Sequence, residues 1–101
     1  MYTALQARNI ANERVNHLYY RVYKHQVHII MRNITKWANK GKTRLEYETA
    51  NTRLLYDVLS QIANELATYG YDATVTRMTG KNNRTYLLTV IEWGNASADE
   101  Y

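Results

Sequence analysis

The chain has 101 residues, enough for one domain with a modest core, and its net charge is +4. A hydrophobic share of 46% excludes wholesale disorder, and the absence of cysteine excludes both a disulfide scaffold and a thiolate metal site. The opening MYTALQARNI lacks a signal-peptide profile, and no apolar run approaches the roughly 20 residues that cross a bilayer, so the expectation is a soluble protein of a reducing cytoplasm with no membrane contact.

No helix breaker interrupts the stretch from about Thr3 to Trp37. At one hundred degrees per residue, Val15, Tyr19, Val22, Tyr23, Ile30, Ile34 and Trp37 share one side of a helix, with Val27 at its edge. Asn39-Lys40-Gly41 supplies the stop, with Gly41 at the left-handed position. A helix of this length spans on the order of 50 Å, more than so small a domain covers. It is therefore either broken near Asn12–Arg14 or projects and pairs with another copy. The second is the expectation, and with it a homo-oligomer.

Residues Thr43 to Glu48 alternate, Leu45 and Tyr47 against Arg44, Glu46 and Glu48, as a half-buried strand does. A second helix should start at Thr49 or Asn51 and end at Gly70, with Leu54, Leu55, Val58, Leu59, Ile62, Leu66 and Tyr69 on its apolar face. Two further strands are expected at Ala73–Met78 and Thr85–Trp93, joined through TGKNNR, whose glycine and asparagines accept turn conformations. The last strand, YLLTVIEW, is apolar on both faces and should lie in the middle of the sheet. A right-handed crossover then sets the first two strands parallel, with the third antiparallel between them. The fold class is α+β: a long N-terminal helix, then β-α-β-β, forming a three-stranded mixed or antiparallel sheet packed by helices. A single domain over residues 1–93 is expected, with the small, polar and acidic 94–101 as a tail.

Chemistry-bearing patterns are few. Ser60 and Ser97 have no motif around them, no glycine-rich phosphate loop is present, and Glu46 and Glu48 read as a solvated pair of acids. No enzyme and no cofactor are expected. His25 and His28 stand one turn apart, a spacing that can clamp a metal, but their neighbours Arg21, Lys24 and Arg32 oppose a dication and no metal is expected.

Charge is the strongest lead. Residues 1–44 hold nine of the thirteen Lys and Arg residues and a single acid, Glu13. Arg14, His17, Arg21, Lys24, His25, His28, Arg32 and Lys36 fall within about a third of the helix circumference, opposite the apolar stripe. Lys40, Lys42 and Arg44 should continue that charge into the first strand. An ordinary solvated face mixes signs. This one is expected to bind an anionic ligand: a nucleotide, a nucleic acid or an acidic protein surface, with Tyr20 placed to stack on a base.

The segments GKTRLEYE, LLYDVLSQIANELATYGYDATVTRM and RTYLLTVIEW resemble a pattern in small uncharacterised proteins of tailed bacteriophages. That pattern is a long helix, a glycine-led strand, a helix closing in Gly-Tyr and a last strand ending in an aromatic. The matching positions are Gly41, Gly70, Tyr71 and Trp93, and the resemblance covers roughly residues 30–93. It implies a viral origin, and so a place in the host cell cytoplasm or the virion, but no activity. Three roles follow as expectations: an accessory protein that counters host defence by binding a nucleotide signal or a host protein, a virion or assembly component, or a nucleic-acid-binding regulator.

Overall fold

The computed structural model describes the chain from residue 3 to residue 94, with the side chains of residues 9, 10 and 12–15 outside the description. The first helix, α1 (Ala4–Asn39), is continuous. It starts on a reciprocal cap in which Thr3 Oγ1 accepts from the Gln6 amide at 3.1 Å and the Thr3 amide donates to Gln6 Oε1 at 2.9 Å. It stops where Gly41 takes a φ of +79°, so that the Gly41 amide reaches the Ala38 carbonyl and the Lys42 amide reaches that of Trp37. No break falls at Asn12–Arg14; the helix projects instead. The radius of gyration of 17.3 Å exceeds the ~13 Å of a compact chain this long because α1 outruns the sheet it lies on.

Three strands follow around the second helix: β1 (Arg44–Ala50), α2 (Arg53–Thr68), β2 (Asp72–Thr79) and β3 (Thr85–Glu92). The sheet order is β1-β3-β2, with β3 antiparallel to both neighbours, as its apolar composition predicts. A short 3-10 turn at Lys81–Asn83 joins β2 to β3, and there Asn82 and Asn83 adopt left-handed φ values of 63° and 58°.

The start of α2 differs from the expected one. Strand β1 runs on to Ala50, so Thr49 pairs with Leu87 inside the sheet, and the Asn51 side chain donates through Nδ2 to Thr85 Oγ1 at 3.1 Å. Thr52 is the cap, accepting from the Leu55 amide at 3.1 Å. At the other end Tyr69 is not part of the buried face. It stands just past the last helical residue and is 79% exposed, while Ala63 takes a core position instead.

Among the described residues, one face of the sheet is covered. Leu87, Thr89 and Ile91 on β3 and Leu45 on β1 point at the helices, where Ile30, Ile34, Val58, Leu59, Ile62 and Leu66 close the core. The opposite residues of β3, Tyr86, Leu88 and Val90, are only half-buried, so both faces of the strand are apolar but just one is packed. The helices are joined by two polar rungs one turn apart. The Tyr19 hydroxyl donates to Gln61, and the Tyr23 hydroxyl donates to the Glu65 carboxylate. A third tie runs from α1 to β1, where the Tyr47 hydroxyl donates to Gln26 Oε1 at 2.7 Å and satisfies a glutamine only 8% exposed. A phenylalanine-free chain suits this arrangement, because Tyr19, Tyr23 and Tyr47 each bring a hydroxyl as well as a ring to the edge of the core.

Two consequences follow for stability. The Thr89 hydroxyl is buried without a hydrogen-bond partner, so Thr89→Val should raise the unfolding free energy by about 1 kcal/mol, measured by urea denaturation. The hydrogen bond to Glu65, with burial adding to it, pushes the Tyr23 hydroxyl from its ordinary value of 10 up to about 12. Because the native state keeps this proton to higher pH than the unfolded chain, the tie is intact below pH 10 and is lost as pH rises through about 12. Burial also raises Tyr19 and Tyr47, so an ultraviolet absorbance titration should show a late-ionising group of tyrosines, and Tyr23→Phe should reduce its amplitude near pH 12.

Candidate anion-binding site

Helical periodicity places the cations on the side of α1 turned away from the core, and His17, Arg21, Lys24, His25, His28, Arg32 and Lys36 are all exposed. The Arg14 side chain lies outside the described residues. Among the described residues the ion pairs are those of Arg44 with Glu46 and with Glu92, both at 3.0 Å, and no described carboxylate pairs with these seven side chains.

Arg44 itself does not extend the basic face. Alternation along β1 puts it on the uncovered side of the sheet beside Glu46, and the antiparallel register sets Glu92 directly opposite. Its charge is spent on those two acids. Lys40 lies over Trp37 instead, its ammonium 5.2 Å from the centre of the ring.

The remaining cations divide into two groups. Arg21, Lys24 and His25 line an open cleft of about 750 Å³ where the middle of α1 meets the first turn of α2. Leu18, Val22, Leu54 and Leu55 supply its apolar surface, with Gln26 and the cap residue Thr52 alongside. The Thr52 hydroxyl engages the Leu55 amide, and the Arg53 and Leu54 amides beside the cleft are the ones a helix cannot satisfy from within. The positive end of the α2 dipole and three basic side chains thus address the same space. His28, Arg32 and Lys36 lie further along, on a shallow groove completed by Met31, Thr35 and Asn39. His17 lines neither.

Tyr20 is exposed, but the Lys24 ammonium lies over its ring at 5.3 Å, one helical turn away, so that face already holds a cation. Among the described residues no group of three His, Asp or Glu is placed to hold a metal, and no helix is long and apolar enough to cross a membrane.

Periodicity alone identified the cations, but not Thr52, Leu54 and Leu55, which close the cleft from a different helix. The signal available for them was the Thr-x-x-Leu start of α2. Its bearing on Arg21 depends on a contact between residues some thirty positions apart. No protein-family model, curated protein or solved structure matches this chain.

Proposed function

We propose that this chain binds a phosphate-bearing ligand in the cleft between α1 and α2, with Arg21, Lys24 and His25 as its cationic contacts. The observation that carries this is the meeting of three exposed, unpaired basic side chains with the first turn of a helix. A cleft of about 750 Å³ is in the size range of small-molecule sites. A nucleotide fits its chemistry: phosphates toward Arg21, Lys24 and the Arg53 and Leu54 amides, the base against Leu18, Leu54 and Leu55. In the bacteriophage setting that the sequence pattern implies, the protein would be a non-enzymatic accessory factor that withholds such a nucleotide from the host.

A nucleic-acid ligand is the second reading, and one feature favours it. The basic surface continues past the cleft to Arg32 and Lys36, so from Arg21 to Lys36 it runs about 22 Å along α1. A nucleotide occupies the cleft alone, whereas an oligonucleotide would use both groups. Titration calorimetry with a nucleoside triphosphate and with a single-stranded oligonucleotide separates them. The first reading expects Arg21→Glu/Lys24→Glu to abolish nucleotide binding and Arg32→Glu/Lys36→Glu to leave it nearly intact, with circular dichroism unchanged in both. Equal losses from the two pairs, with steep salt dependence, would select the nucleic-acid reading. Binding that survives all four substitutions removes both.

The projecting part of α1 suits pairing with a second copy, since Leu5 is 64% exposed on it. Light scattering should give a small closed oligomer, and a monomer mass at high concentration would sink that part of the proposal.

A further inference from the structure

A second cavity, of about 360 Å³, lies where the last turn of α2 meets α1 beyond the cleft. Its walls are Val27, Ile30 and Met31 from α1 with Ile62 and Leu66 from α2, so most of what a ligand would touch is aliphatic. Its one charged residue is Glu65, and Tyr69 and Tyr71 complete it. No basic side chain lines it.

Three features of this cavity share one electrostatic sense. The Glu65 carboxylate is fixed in place, with one oxygen accepting from the Tyr23 hydroxyl and the other from Gln61 Nε2 at 3.0 Å. Each carboxylate oxygen has a second lone pair, so a further donor can still be accepted. The last turn of α2 holds no basic residue to offset the negative end of the helix dipole. Tyr71 packs edge-on with Trp93, their ring centres 6.4 Å apart, and Tyr69 is 79% exposed, so two tyrosine rings line the cavity. A carboxylate, a helix C-terminus and tyrosine rings all favour a cation, while the aliphatic walls favour a hydrocarbon body.

From this we infer that the cavity between Met31, Glu65, Leu66 and Tyr71 is a binding site for an amphiphilic organic cation, an ammonium head on an aliphatic chain. The hydrocarbon enters between Val27, Ile30, Ile62 and Leu66, and the head donates to Glu65 at the rim beside Tyr69. This site is independent of the anion cleft, since no residue lines both. Loss of nucleotide binding in cleft variants therefore leaves it untouched.

The test is an amide NMR titration of the full chain with octylammonium, octanoate and octanol. Octylammonium should give saturable shifts confined to Met31, Glu65, Leu66 and Tyr71, with octanoate at least about tenfold weaker and octanol between them. Glu65→Gln keeps the size and an acceptor oxygen; it should weaken octylammonium by about tenfold and leave octanol unchanged. Tyr69→Ala, at a side chain that contributes nothing to the core, should weaken the cation by a few-fold while the amide spectrum stays folded. Octanoate binding as tightly as octylammonium would overturn the assignment. So would an affinity for octylammonium that Glu65→Gln does not change, or the absence of saturable shifts at these residues.

Discussion

The docking of α1 governs the rest of the structure. Among the described residues α1 is packed from Tyr19 onward, and Ile30 and Ile34 enter the core with Leu45, Leu87 and Ile91. The rungs from Tyr19 to Gln61 and from Tyr23 to Glu65 then fix how α1 is rotated and how far it has slid along α2. A rotation of one residue, about 100°, would carry Arg21 or Lys24 toward the core and break both rungs. Burying an unpaired cation is far costlier than losing a hydrogen bond, so the rotation is set from both sides.

That docking also determines where the two cavities form. The two helices run alongside each other in the same sense, because residues 19 and 23 of α1 meet residues 57–65 of α2 in order. The beginning of α2 therefore meets the middle of α1, at Arg21 and His25, and its end meets Val27 and Met31 further on. One helix presents its positive end to a cleft lined with cations and its negative end to a cavity holding a carboxylate. In the first, helix end and side chains together favour an anion. In the second they favour a cation. On the proposed readings the two cavities differ in the sign of charge they take, for a shared structural reason.

The uncovered side of the sheet contrasts with both. Its Arg44 is paired with both Glu46 and Glu92, and of its half-buried residues Leu88 lies between Glu48 and Thr76 and Val90 between Glu46 and Thr74. Exposed pairs of this kind contribute little to stability. Their effect is to take Arg44 out of the basic surface of α1.

The sequence by itself determined the elements and their faces. Gly41 and Gly70 end the helices because each stop needs a residue at positive φ, and both glycines have one. The apolar run of β3 placed it at the centre of the sheet, and a period of 3.6 residues put Arg21, Lys24, Arg32 and Lys36 on one side of α1. Those properties are local, so a single stretch of chain carries them. The tertiary structure decided what lies across from each face. It set Glu92 against Arg44, left Tyr69 outside the core, buried Gln26 under Tyr47, and brought Thr52 and Leu55 to Arg21. Each depends on the register between elements far apart in sequence, which is set by the packing of a whole core and is not written in the period of any one segment.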